Sequence, residues 1–511
     1  MAQPWEQLAD LVACVYDRCA LLEQPPETRL DGLSTLQKRE QQWHNQALEI
    51  MDGGGVCGFT YLSHMLNLTT FETHCFRMTL AVELDSNLEG VYAKAQDGVC
   101  RLPTVTLCLD TFATAPQSRT KALTNWRSHR ETLKLLFDQG LTVDSPQSAL
   151  TVGLKLSPRI VDFILDPGTP NTALVGKINL DLTPTTMVIH QDLVENLHLF
   201  QQENPSLYHI HGDKGVGKQT LVRHSLSTQK KAPLVVEIPA LLGIDEWNRA
   251  ILQVCREVVL TGGVPVLSGC DVLAPMENQP PDGRLSAMLQ QLSKCSDTVF
   301  FLSQCKWEQS WDATPFARVS LEIPIPDTQE RMALFAHGFR NLPLAEDVQF
   351  EAVATKFTLT PAQIDGAVQE AKRHQGALTS QDIHGFCRNQ LAHGMGKMAT
   401  SIPAVYRWED LILPPKQKKK LEYACAQVEY RHRVYHSWGF GSKRAYGRGL
   451  SVLFSGPPGT GKTMAAQVMA NRLHLDLYKV DIAGVMSKYI GETEKQLGAV
   501  FDEAKKSQSI L

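Results

Sequence analysis

Leu450-Ser-Val-Leu-Phe-Ser-Gly456-Pro-Pro-Gly-Thr-Gly461-Lys462-Thr463 decides the fold class of this chain. A short apolar run predicts a buried strand, the glycines a turn, and Met464, Ala465, Val468, Met469 and Leu473 a helix with one apolar face. The spacing G-x-x-x-x-G-K-T between such a strand and helix is that of a phosphate-binding loop. Gly456, Pro457, Pro458, Gly459, Thr460 and Gly461 would curl backbone N–H groups around phosphate oxygens, aided by the positive end of the helix dipole. Lys462 would meet the β/γ-phosphates, and the Thr463 hydroxyl would ligate Mg²⁺, so ATP and Mg²⁺ are the expected cofactors. A glycine turn that binds nothing is the competing reading, and the flanking strand and helix weigh against it.

Downstream, His474–Val480 alternates as a strand. Ser487-Lys-Tyr489-Ile490-Gly-Glu-Thr-Glu-Lys495 then leads into a helix carrying Leu497, Val500, Phe501 and Ala504 on one face. From Trp408-Glu-Asp-Leu411 onward the chain resembles the AAA family of ATPases. The resemblance implies a homo-oligomeric ring, a hexamer, whose central loop grips a threaded polypeptide; Tyr489 and Ile490 match that pore loop. The plainer alternative is a half-buried aromatic at a loop–helix junction. Ser509-Ile-Leu511 matches the start of the strand that ends, in that family, in the Asp-Glu pair ordering Mg²⁺ and polarising water. Only 48 residues follow Thr463 (511 − 463), so the catalytic acidic pair is expected beyond Leu511 and the module to be cut before it.

A second loop candidate lies 244 residues earlier (456 − 212): His211-Gly212-Asp-Lys-Gly215-Val-Gly217-Lys218-Gln219-Thr220. Gly212, Gly215, Gly217 and Lys218 fit a nucleotide, but Gln219 holds the hydroxyl position and Thr220 sits about 100° further round the helix. Val264–Leu267 reads as a strand followed by Ser-Gly-Cys-Asp271 rather than an acidic pair, and Thr298–Ser303 as the next, with Ser303 or Gln304 at the family's polar sensor position. Arg318 is a candidate arginine finger, and Thr360-Pro-Ala-Gln363 opens a lid helix. This copy resembles a degenerate AAA module, in which nucleotide binding stays open and hydrolysis is not expected.

At 511 residues the chain exceeds one core, and three units are expected. A net charge of −4 gives no general pull toward nucleic acid or membrane. No apolar run is long enough to span a bilayer, and Glu6 and Asp10 interrupt the amphipathic start, unlike a signal peptide. Twelve scattered cysteines without C-x-x-C spacing argue against zinc and for a reducing cytoplasm.

The first third reads as helices, including Phe71–Leu84 and Leu88–Ala95, with Val105–Leu109 open between strand and helix. Short β-like runs at Ala149–Leu156 and Val161–Leu165 complete a winged-helix-type pattern. It resembles the N-terminal region of bacterial AAA proteins with two tandem modules, of the kind encoded with phage-tail-like contractile injection systems. Glu72, Glu83, Asp85, Glu89 and Asp97 would repel DNA phosphates. The basic run Arg119, Lys121, Arg127, Arg130, Lys134 reads as a solvated face, as does Lys416, Lys418, Lys419, Lys420.

The expected fold is therefore α/β: tandem P-loop NTPase modules, each a parallel sheet with flanking helices and a helical lid, after a mainly α winged-helix-like domain. The expected limits are 1–185, 186–400 and 401–511. The expected function is an ATPase ring that remodels or threads protein assemblies. Nucleic acid and membrane are not expected partners. A winged-helix ATPase acting on nucleic acid and a nucleotide-gated scaffold without turnover are the alternatives.

Overall fold

A computed structural model describes residues 4–511 apart from 53–56, 114, 140, 142–149, 170, 172–173, 182, 184–186, 201–205, 244–245, 275–282, 308–315, 396–398, 431–449, 474, 481–496, 499, 502–503 and 505–508. The chain packs as two compact units. The first comprises Met1–Thr186, Asp192–His211 and Lys218–Glu322; the second comprises Met187–Gln191, Gly212–Gly217 and Ile323–Leu511.

The first unit opens with a helical layer built on Thr70–Leu84, whose N-terminus is fixed by a capping box between Thr69 and Glu72. Phe71, Cys75, Phe76, Met78 and Leu80 are buried there. Val105–Phe112 is helical, because the Thr104 hydroxyl accepts the Leu107 N–H at 3.1 Å and so caps it. The wing is a short antiparallel hairpin, β1 (Phe137–Gln139) with β2 (Lys155–Leu156). The β-like reading of Val161–Leu165 is corrected: Pro158–Leu165 is a helix with Pro at its first turn. Ile160, Phe163 and Ile164 fall at helical spacing and are buried together, an outcome that a five-residue apolar run cannot specify by itself.

A six-stranded sheet follows, in the order β3-β5-β6-β7-β4-β8. These are β3 (Ile178–Leu180), β4 (Ser206–His211), β5 (Pro233–Glu237), β6 (Val264–Ser268), β7 (Thr298–Ser303) and β8 (Ala317–Glu322). All neighbours run parallel except β3, which pairs antiparallel with β5. β4 is buried along its whole length and β5, β6 and β7 nearly so, as in a parallel sheet covered on both faces.

The helical layer is fastened to the sheet's helix Trp247–Thr261. Arg256 donates to the carbonyls of Leu135 (2.8 Å) and Lys134 (3.0 Å) and to Asp138 on β1 (2.5 Å). The next residue, Glu257, accepts from Arg159 (2.7 Å) and Asn171 (2.8 Å).

The second unit holds the helices Thr328–Gly338, Phe350–Lys356, Pro361–Ala371 and Ser380–Met395 around Phe335, Phe339, Ile364, Val368 and Ile383. It then forms β9 (Ala399–Ile402), the helices Pro415–Glu429 and Lys462–Leu473, and β10 (Leu477–Val480). β10 pairs antiparallel with β9, and Leu477 bridges Ile510 in parallel. The expected strand before Gly456 is corrected: no strand is formed at 450–455, and Leu453 is 93% exposed. β4, which precedes the first glycine loop, is held by contrast between β7 and β8. Among the described residues 450–455 has no strand partner, and an apolar run without one gains little from extending.

Candidate functional site

The C-terminal glycine loop is set by the helix behind it. Ala465, Val468 and Met469 bury one face of Lys462–Leu473 against Leu411, Leu421 and Cys425. That fixes the N-terminus and leaves Thr463 exposed. Gly459 and Gly461 both take φ of +81°, a left-handed backbone that a side chain resists, and a Cβ at either would meet nothing within 4 Å. Lys462 Nζ donates to the carbonyls of Gly456 (2.9 Å) and Pro457 (2.7 Å), and the Thr460 hydroxyl donates to Pro457 (2.9 Å). The result is an exposed glycine loop at a helix N-terminus, with the Lys462 ammonium folded onto two of its carbonyls. These residues fit the phosphates of a nucleotide, with Thr463 free to offer its hydroxyl to a cation.

The opening segment is pinned nearby: Arg472 lies 4.7 Å from the Trp408 ring, and Lys418 bonds the carbonyls of Trp408 and Leu411, both at 3.3 Å. Lys418 is thus structural rather than merely solvated. Tyr489 and Ile490 lie outside the described residues.

The upstream loop repeats the backbone but not the surroundings. Gly215 and Gly217 have φ of +84° and +101°, matching Gly459 and Gly461 in position and sign. Here, however, the Gly215 carbonyl accepts the Ala362 N–H at 3.1 Å, and a Cβ on Gly215 would fall 2.8 Å from Thr360 Oγ1. Thr360 is itself held by Gln363, whose side-chain oxygen accepts its N–H (2.9 Å) and hydroxyl (3.2 Å). The lid helix therefore closes on this loop.

On the sheet, Gln219 donates its amide to the Ser268 hydroxyl at 3.0 Å. Ser268 ends β6, where the resemblance would place the acidic pair. The next carboxylate, Asp271, accepts the Gln304 N–H at 2.7 Å. An amide and a hydroxyl satisfying each other supply no anionic ligand, so a magnesium ion does not fit this position.

Sequence reasoning missed one network behind the loop. Buried His209 on β4 contacts Ser303 (2.7 Å) and Arg318 (3.0 Å). Because the Ser303 hydroxyl donates to the Cys305 carbonyl, His209 Nε2–H must donate to Ser303, leaving Nδ1 to accept from Arg318. Burial first, and the Arg318 charge second, push the imidazole pKa down to about 3. Arg318 also donates to the Trp307 carbonyl at 2.5 Å, so the arginine-finger reading is replaced by a role inside the sheet. Nothing in the His-x-His alternation of β4 signals this partnership.

The profile of the ATPase family associated with various cellular activities (AAA) matches residues 452–511, and that of the winged helix domain, variant, matches residues 7–178. The chain carries a winged helix domain and an AAA domain. The open glycine loop lies within the AAA match, and the wing and the Thr70–Leu84 core within the winged helix match. A cell division cycle protein 48 homolog of Archaeoglobus fulgidus is 26% identical over 208 residues, 36% of this chain. The chain spans 27% of that relative's length.

Among the described residues, no helix is long and apolar enough to cross a membrane, and none forms a cluster of three or more His, Cys, Asp or Glu suited to a metal.

Proposed function

We infer that this is an ATP-dependent AAA protein in which the loop Gly456–Thr463 carries the nucleotide and Gly212–Lys218 is a structural relic. The observation that carries the reading is the contrast between the loops. In one, a Cβ on Gly459 or Gly461 would meet nothing within 4 Å; in the other, Gly215 is closed over by Thr360 and Ala362, and Gln219, at the hydroxyl position, is paired with neutral Ser268. Support for tandem modules comes from a repeated local topology. β3 runs antiparallel and β6 parallel to β5, just as β9 runs antiparallel and Ile510 parallel to β10.

In this reading Lys462 and the loop amides hold the triphosphate, and Thr463 orients Mg²⁺. Bound ATP would supply the free energy for work on a protein assembly. A homohexameric ring, with Tyr489 and Ile490 gripping the substrate, extends the reading by family likeness, as does a contractile-injection setting. The winged helix domain serves as an adaptor, because its wing and the helix Pro158–Leu165 are occupied by Arg256 and Glu257.

Titration of the protein with a fluorescent ATP analogue and Mg²⁺ tests the division. Lys462→Ala should weaken binding by about tenfold or more through loss of a charge-assisted contact, and Lys218→Ala by less than about twofold. Equal losses from the two substitutions contradict it.

A further inference from the structure

Within the first unit, the hairpin of β1 and β2 and the helix Trp247–Thr261 border a cavity of about 800 Å³, with Ala287 and Gln291 of the helix Gly283–Leu292 on a third wall. The cavity lies where the winged helix domain meets the helices of the sheet. Pockets of roughly 300–1,000 Å³ hold small organic molecules, and such junctions are a preferred place for them.

Its floor is apolar. Phe137, Leu156 and Ile251 are buried beneath it, whereas Leu252, Ala287 and Cys295 are only partly covered. Apolar surface left to water in a concave site gains from being covered. Its walls are cationic: Lys134, Lys155, Arg249 and Lys294 line it from four separate segments. Three carboxylates line the same space. Glu131 is shared by Lys134 (2.6 Å) and Lys294 (3.6 Å), Asp138 is held by the buried Arg256 (2.5 Å), and Glu246 lies 3.8 Å from Arg249. Lys155 is exposed and has no ion-pair partner among the described residues. With Arg256 counted, five cations meet three carboxylates there, an excess of two positive charges among the described residues.

We propose that this cavity binds a small organic acid with an apolar chain, the chain against Leu252 and Ala287 and the carboxylate at the lysine rim. A neutral or cationic amphiphile would leave the excess charge uncompensated, and a wholly hydrophilic anion would leave the floor wet. Lysine stems lie along apolar surface while their ammoniums stay in water, so the carboxylate is met without being fully dehydrated. None of these residues belongs to either glycine loop, so the proposal is independent of the nucleotide reading.

The test uses the full chain without nucleotide. Dodecanoate, kept below its micelle-forming concentration, is titrated by calorimetry. A dodecanoate carrying a diazirine on its chain is photolysed with the protein, and the label is mapped by peptide mass spectrometry. The expected result is saturable binding, with label on Phe137, Leu252, Ala287 or their neighbours. Octanoate should bind more weakly, by up to about fourfold for each methylene lost. Lys155→Glu with Lys294→Glu, both at exposed positions, should weaken dodecanoate by about tenfold or more, and dodecyltrimethylammonium should not displace the label. Thermal melting checks that the double variant is folded; if it is not, Lys155→Glu alone decides. Label confined to other segments, an affinity independent of chain length, an unchanged affinity in the folded variant, or equal displacement by the trimethylammonium compound overturns the proposal.

Discussion

The Gln219 carboxamide donates to the Ser268 hydroxyl at 3.0 Å, joining the helix behind the first glycine loop to the end of β6. Where the AAA resemblance would set a hydroxyl and a carboxylate around a divalent cation, two neutral side chains complete each other. Chemistry at this position would have to break that bond and then bring in a charge that neither residue has.

Nucleotide retained by the first loop should therefore ignore magnesium. In Lys462→Ala with Thr463→Ala, which also removes the C-terminal loop's own magnesium ligand, residual affinity for an ATP analogue should stay within about twofold when Mg²⁺ is exchanged for EDTA, since no ligand at the first loop changes its energy with the metal. A tenfold fall on chelation would show that a cation is bound after all.

Removing one partner of the Arg159–Glu257 pair should destabilise the first unit more than removing both. The two side chains are nearly buried, at 12% and 7% exposure, and meet at 2.7 and 3.2 Å. Glu257→Leu alone strands a buried cation and should cost about 3–5 kcal/mol, whereas Arg159→Met with Glu257→Leu should cost distinctly less. Denaturant midpoints of the two singles and the double close the cycle. Additive losses would mean that the pair is not coupled.

Acid should weaken the sheet through His209. Its folded pKa, about 3, lies below the ordinary 6.5, so the unfolded chain binds the extra proton first. Stability is then fully present above pH 6.5 and falls as pH drops toward 3, by at most about 1.4 kcal/mol per pH unit for this one group. His209→Gln removes the proton uptake. Its unfolding free energy should fall less steeply than the parent's between pH 7 and 5, and parallel curves would exclude His209 as the source.

The helices Thr70–Leu84 and Leu88–Ala95 were legible in the sequence because their apolar positions recur at helical spacing over two turns or more. Strands β6 and β7 were legible as short apolar runs bounded by turn residues. The segments 158–165 and 450–454 were not. A run of four or five apolar residues suits strand or helix equally, and only its neighbours choose. Nothing in the sequence marks Arg18 and Arg77 as buried, because composition records a charge without its depth.

Glycine spacing, a lysine and a following amphipathic helix fix a phosphate-binding loop by local chemistry, since the left-handed turns and the helix N-terminus are properties of adjacent residues. Both loops satisfy that local rule and share their backbone angles. What differs is everything that arrives from far along the chain: Thr360 and Ala362 over Gly215, Ser268 against Gln219, Arg318 beside His209. Sequence states which groups are available. Folding alone brings distant ones within bonding distance, and at those distances a neutral partner or a buried charge determines whether a loop can hold an anion and its metal.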